Sequence, residues 1–292
     1  MQTLKIMKKR LRFLLMTFCL VFLGQLGHRA YAQNPQTIEV GPHFGVSSYI
    51  GELNVWRDID KWSWREMNQF NSDWGILARY NYNSRWSFRL DYTHGKVRAS
   101  DAYAAWRPDA QLNFQTTIND ISLMAEFNFL DYYTGHIQNT VSPYIFAGVS
   151  GFMFSPHPYT QNDNVDKTDL FVKEKSGKTK SLTEGVACNP FSFSIPFGVG
   201  CKLSLTQHLA TTVEWRMHYT FTDYLDDVSG VYPSDGTHVI VSGYDLTDPS
   251  KKFHEGQQRG NSQTNDWFGF INLSLTWKFV IPNASACTMN FE

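Results

Sequence analysis

The feature that most limits what this chain can become is an alternation of apolar and polar residues with a period of two, repeated in eight stretches. An α-helix repeats its apolar positions every 3.6 residues, so strict alternation predicts strands with two chemically different faces. The expected strands lie at about 37–47, 73–82, 85–93, 117–129, 142–154, 191–206, 209–221 and 267–279. In the fourth, Ile121, Leu123, Ala125, Phe127 and Phe129 oppose Asp120, Ser122, Met124, Glu126 and Asn128. In the sixth, Phe193, Ile195, Phe197, Val199, Cys201, Leu203 and Leu205 oppose Ser194, Pro196, Gly198, Gly200, Lys202 and Ser204. In the fifth, Tyr144, Phe146, Phe152 and Phe154 form the expected apolar face, with mostly small residues opposite.

The connections alternate in length. Tight turns are expected at 83–84 and 207–208 and a shorter link at 130–141, against long loops at 48–72, 94–116, 155–190 and 222–266. Antiparallel strands with short turns at one end and long loops at the other match an outer-membrane barrel. An even strand number puts both termini on the periplasmic side. The expected fold is therefore an all-β, eight-stranded antiparallel transmembrane outer-membrane β-barrel with four long extracellular loops.

Alternation by itself also fits a soluble lipocalin-type barrel, in which the apolar face points inward. The aromatics decide between the two. Trp74, Tyr80, Tyr82, Trp86, Tyr92, Tyr144, Trp215, Tyr219, Trp267 and Trp277 are all read onto the apolar face. An apolar ring with a polar tip favours the headgroup level of a bilayer. Aromatic residues make up 15% of a chain that is only 42% hydrophobic, as expected when alternate residues alone face lipid. The other face carries Glu39, Arg79, Arg89, Asp91, Asp120, Glu126, Lys202, Glu214, Arg216 and Lys278, with the two signs balanced. Eight strands enclose room for side chains only. These ten residues are expected to pair as a charge network filling the lumen, because an isolated buried charge costs several kcal/mol.

The N-terminus has the form of a secretory signal peptide. Lys8, Lys9, Arg10 and Arg12 precede an apolar run at 13–23, and Ala30-Tyr31-Ala32 offers a small-x-small cleavage site. The run is too short for a transmembrane helix. The expected organisation is a signal peptide at 1–32, the barrel at 33–281 and a periplasmic tail at 282–292. Cleavage removes six of the 26 basic residues and none of the 27 acids, leaving a net charge of −7. An acidic chain without a basic stripe does not fit nucleic-acid binding. Cys188, Cys201 and Cys287 form neither a disulfide framework nor a CxxC metal pattern.

No motif carries a specific catalytic spacing: GxSxG, HExxH and a glycine-rich phosphate loop are all absent. Glu214, Arg216 and His218 share a face, which allows an acid–base group but fits the interior network better, and the same holds for His43. Asp223, Asp226 and Asp227 could offer oxygen ligands to Ca²⁺, yet their spacing is not an EF-hand. Turn capping and pairing with a base such as Arg259 explain them more simply. No enzyme activity, cofactor or metal is expected. Trp56, Trp62, Trp64, Trp106, Tyr224, Tyr232 and Tyr244 either contact a partner or pack the loops into a lid.

Several segments together resemble a known family. These are Tyr49-Ile50-Gly51-Glu52-Leu53-Asn54, Ser100-Asp101, Ile195-Pro196-Phe197-Gly198-Val199-Gly200, Thr222-Asp223-Tyr224-Leu225-Asp226-Asp227-Val228-Ser229, Arg259-Gly260 and Asn265-Asp266-Trp267. The chain resembles the PorG-like outer-membrane barrels of Bacteroidetes, a component of the type IX secretion system, over roughly residues 37–280. The resemblance implies a non-enzymatic subunit in outer-membrane lipid. It would associate with the periplasmic ring formed by a lipoprotein and its partner, and be needed for cargo export. It assigns no catalytic residue. The other functions open to such a barrel are lipid modification by an outer-leaflet enzyme and ligand capture by the long loops.

Overall fold

The computed structural model describes residues 36–50, 70–100, 110–135, 139–160, 162–175, 177–260 and 264–281. The leader at 1–32, the tail beyond 281, Gly51 to Asn54 of the first motif, Asp101, and Trp56, Trp62, Trp64 and Trp106 lie outside them.

Eight strands form a closed antiparallel barrel. They are β1 (Thr37–Ile50), β2 (Asn71–Asn81), β3 (Trp86–Ser100), β4 (Asn113–Asn128), β5 (Val141–Pro158), β6 (Phe191–Ser204), β7 (Leu209–Thr220) and β8 (Trp267–Val280). Each strand pairs with its sequence neighbour. The barrel closes between β1 and β8, in register from Thr37 opposite Val280 to Ile50 opposite Trp267. Strands β1, β3, β4 and β5 run further than the alternation predicts. The extra residues stand above the apolar band, where outward positions such as Lys96, Arg98, Asn113, Gln115 and His157 are polar and the outer face loses its signature.

Local chemistry sets the tight turns. The Asn83 side-chain oxygen accepts from the backbone N–H groups of Arg85 and Trp86. The Thr206 hydroxyl accepts from those of His208 and Leu209. Such side-chain caps satisfy donors that the ladder leaves open. These turns and both ends of the barrel chain form one end, the turn end. The long loops form the other, the loop end.

The outer face is lipid-like. Phe44, Ile76, Leu90, Ile121, Val149, Phe193, Val213 and Leu273, one from each strand, are each more than half exposed. An apolar band round the whole circumference far exceeds the patches a water-soluble monomer shows. Tyr82, Trp86 and Trp277 border the band near the turn end, and Tyr219 and Trp267 near the loop end. With every strand paired on both sides, no backbone edge faces the bilayer.

One strand reverses the expected assignment. Tyr144, Phe146, Phe152 and Phe154 of β5 point into the lumen and are almost fully buried, while Val141, Val149 and Met153 face outward. The neighbouring β6 explains the reversal. A Cβ on Gly198 would sit 2.6 Å from the Phe146 ring, and one on Gly200 2.6 Å from the Tyr144 ring. The two glycines leave the floor on which the rings of β5 lie. Tyr144 is thus not a membrane-interface residue.

Candidate functional site

Alternation aims the charges of seven strands at one axis, and the register sets which of them meet. Arg79 Nη1 lies 3.0 Å from Glu39 Oε2, and its Nε 2.9 Å from Glu126 Oε2. Arg89 Nε lies 3.2 Å from Glu126 Oε1, and its Nη1 2.6 Å from Glu214 Oε2. Lys202 Nζ is 2.6 Å from Glu126. Arg216 joins Asp91 at 3.0 Å and Glu214 at 3.4 Å. Four cations thus meet four anions in a continuous cluster shut off from solvent. Rings complete it. The Tyr144 hydroxyl donates to Glu214 at 2.8 Å. Lys202 lies over the Tyr144 ring at 4.7 Å, Arg89 over Phe146 at 5.1 Å and Arg216 over Phe270 at 5.3 Å. Desolvating eight charges is tolerable only when each has close partners of opposite sign.

Two expected members stand apart. Asp120 accepts from the Ser122 hydroxyl and lies 3.8 Å from His218 Nδ1. Lys278 is only partly buried and donates to the Thr134 backbone oxygen. That contact belongs to the turn-end link, which folds back into the barrel mouth. The Thr134 hydroxyl donates to Glu39, and Tyr132 is buried beside it. Sequence reasoning missed this plug because the link has no periodicity. It also missed Asp73, which accepts from Asn272. Asn272 in turn accepts from Arg216 at 3.2 Å.

The Ser194, His218 and Asp120 side chains invite comparison with a nucleophile, base and acid. Ser194 Oγ lies 2.9 Å from His218 Nδ1, and Asp120 approaches that same nitrogen. A relay needs the nucleophile on one ring nitrogen and the orienting acid on the other. The ring is also fully buried and stacked on Phe268 at 4.3 Å. His43 Nε2 sits 3.3 Å from Asp91, as part of the interior.

The second site is the loop-end segment Thr222-Asp223-Tyr224-Leu225-Asp226-Asp227. It lies across the barrel mouth as a latch. Asp226 Oδ2 lies 2.9 Å from the Tyr49 hydroxyl, which also reaches Asp266 Oδ1. Asp266 Oδ2 accepts from the Leu225 N–H at 3.0 Å, and Asp226 Oδ1 accepts from the Val228 N–H at 2.9 Å. Thr222 caps locally, its hydroxyl accepting from the Tyr224 N–H at 3.3 Å. Asp223 is half-buried and Asp227 fully buried. Asp227 adopts a left-handed backbone, φ 58°, and accepts from the Thr183 hydroxyl. Burial pushes its carboxyl up to about 6, opposed by nearby Arg259.

Arg259 does not pair with the acidic side chains of this segment. Its Nη1 lies 3.0 Å from Glu184 Oε1 and donates to the Asp227 backbone oxygen. Glu184 also accepts from the N–H groups of Ser229 and Gly230, at 2.9 and 3.1 Å. Gly260 follows because a Cβ there would lie 2.5 Å from the Val228 oxygen. Asp226 and Asp227 therefore serve different partners. Among the described residues, no three His, Cys, Asp or Glu side chains gather as a metal site. Tyr232 is buried and stacks on Phe253 at 4.9 Å, and Tyr224 and Tyr244 are partly buried. These three tyrosines belong to a lid.

The sequence pattern of a family described as "Domain of unknown function (DUF6089)" matches residues 12–288. No curated protein sequence matches the chain. Among solved structures it is similar to the N-terminal β-barrel domain of Pseudomonas aeruginosa OprF, at 12% identity and TM-score 0.38, covering 85% of this chain and 100% of that one. Neisserial surface protein A gives 14% identity and TM-score 0.39, covering 84% of this chain and 97% of that one. OprG from Pseudomonas aeruginosa gives 11% and 0.36, covering 85% and 98%. The membrane assignment rests on this chain's own apolar band and filled polar interior.

Proposed function

This chain belongs to the DUF6089 family, and from its resemblance to PorG-like barrels we propose that it is a non-enzymatic outer-membrane subunit of the type IX secretion system. In this reading the termini and turn end face the periplasm. There the barrel docks the ring formed by a lipoprotein and its partner, and the long loops face outward.

The observation that carries the reading is the filled lumen. Four paired cations and four anions occupy it, with aromatic rings between them and a plug at the turn end. Such an interior offers neither a route for a cargo chain nor a reacting group open to lipid, which leaves the barrel's surfaces to do the work. The resemblance to PorG-like barrels supplies the partner. The segments that carry it include the Thr222–Ser229 latch and the Arg259-Gly260 pair that holds it.

The test is a deletion strain of the native host, with cargo measured in medium and periplasm. Periplasmic retention relieved by this chain is the expected result. Unchanged export would sink the secretion role while leaving the barrel intact. The tail is the proposed ring contact, so truncation after Pro282 should lower co-purification of the ring lipoprotein without loss of the folded barrel.

A further inference from the structure

Between β5 and β6 the loop-end chain forms a small three-stranded sheet, with strands Phe171–Lys173, Thr179–Ser181 and Ala187–Cys188. Its hairpin holds Lys173, Lys175, Lys178 and Lys180 against one acid, Glu174, in a chain whose charge without its leader is −7. Lys173, Lys175 and Lys178 are exposed, and Lys180 is half-exposed with Glu174 at 3.6 Å.

The sheet has an inside and an outside. Phe171 pairs with Ser181, and both turn inward: Ser181 is buried, and the Phe171 ring packs on Phe154 at 5.5 Å. The opposite face carries Val172, Lys180 and Ala187 in one cross-strand row. Val172 and Ala187 are exposed, as is the adjoining Val186. This row looks away from the barrel axis.

Its height is set by the wall below. Met153, Phe191 and Phe193 form the exposed apolar top of β5 and β6, and the Phe154 N–H donates to the Pro190 oxygen, continuing that wall upward. Ala187 is four residues from Phe191, at most about 14 Å of extended chain. The row therefore lies within about 14 Å of the top of the apolar wall, within reach of a headgroup layer bordering it. Valine and alanine beside lysine suit that level, since a lysine stem packs on apolar surface while its ammonium reaches a polar layer.

We infer that this small sheet is a contact surface for the phosphate groups of the outer-leaflet glycolipid. The inference rests on the orientation given above, with the loops outside, and not on the secretion role. Each lysine near an anionic surface strengthens attachment roughly fivefold, less at high salt.

The experiment uses the full chain, refolded in detergent, with native mass spectrometry of bound lipid. Bisphosphorylated lipid A is compared with its dephosphorylated form. The wild-type chain should retain the phosphorylated form at least tenfold better. The variant Lys173→Gln/Lys175→Gln/Lys178→Gln/Lys180→Gln should lower that preference to within about twofold. Lys251→Gln/Lys252→Gln, on another loop, should keep it. Heat-modifiable gel migration checks folding. Equal retention of the two lipids by the wild type overturns the inference without any variant. So does an unchanged preference in the four-site variant, or displacement of the lipid by inorganic polyphosphate at equal concentration. Labelling of Lys175 in intact cells tests the orientation separately: labelling only after permeabilisation overturns it, whatever the export assay shows.

Discussion

The turn-end half of the lumen is held by eight paired charges centred on Glu126, Arg89 and Glu214, whereas the loop-end half is held by Tyr49, Val97, Phe114, Ile118, Phe152, Phe154, Leu225, Val228, Phe268 and Phe270. The first group sits on barrel strands alone, so ladder register sets every pair. The second needs Leu225 and Val228, which arrive only when the latch folds over the mouth. Charges paid for by register can assemble as the barrel closes, while an apolar core shared with a loop depends on that loop. The turn end is accordingly brittle to the loss of one partner, and the loop end responds to what happens on its lid.

The largest expected break is Glu126→Leu, which takes one carboxylate partner from each of Arg79, Arg89 and Lys202 at once. A loss of about 3–5 kcal/mol is expected in urea unfolding followed by tryptophan fluorescence. Adding Lys202→Met should recover part of it, and additivity of the two changes would show that the charges do not act as a unit. Next is Phe268→Ala at the loop end, where the ring packs on His218 at 4.3 Å and Phe152 at 5.2 Å. It should cost about 3 kcal/mol by the same measurement and leave an apolar cavity. Unlike the first change, it has no charge partner whose removal can rescue it.

Gly200→Ala tests the seam between β6 and the inward rings. The added methyl meets Tyr144, so a loss of about 2 kcal/mol is expected from overpacking. Tyr144→Phe in the same background should leave most of the loss in place, because ring carbons at 2.6 and 2.7 Å still clash once the hydroxyl at 2.8 Å is gone.

The smallest effect is a pH response of the latch. The Asp227 carboxyl is raised from 3.8 to about 6 by burial, with Arg259 opposing and Glu184 adding to the rise. A raised carboxyl binds its proton more tightly in the folded state, so the latch weakens as pH climbs from about 4 to about 6. Going from pH 7 to pH 5 should tighten it by roughly 1 kcal/mol. Protection factors of the Val228, Ser229 and Gly230 amides should rise accordingly. Asp227→Asn should remove the response, and an unaltered pH dependence in that variant would assign it elsewhere.

Much of the architecture was legible along the chain because a strand with one wet and one lipid-facing side must alternate. Ile121, Asp120, Phe193 and Lys202 fall on the faces that alternation predicts. The pattern failed on β5, where both faces are apolar: aromatic on one side, aliphatic and small on the other. Hydrophobicity cannot rank those two faces, but the volume left by Gly198 and Gly200 across the ladder can. The candidate site was legible only in part. Asp226 and Asp227 stand out as a cluster and Asp266 only as part of the segment Asn265-Asp266-Trp267, whereas Glu184, an isolated acid in a long loop, carries no signal.

The sequence by itself determined the number of barrel strands, the ends at which turns and loops lie, and the presence of balanced charge inside the barrel. All of these follow from local periodicity and turn chemistry, which act over a few residues. Only the tertiary structure decided which charges meet, which way β5 faces and what holds the latch. Arg89 finds Glu214 across 125 positions and Arg259 finds Glu184 across 75. Such contacts depend on register and barrel closure, properties of all eight strands together that no single stretch encodes.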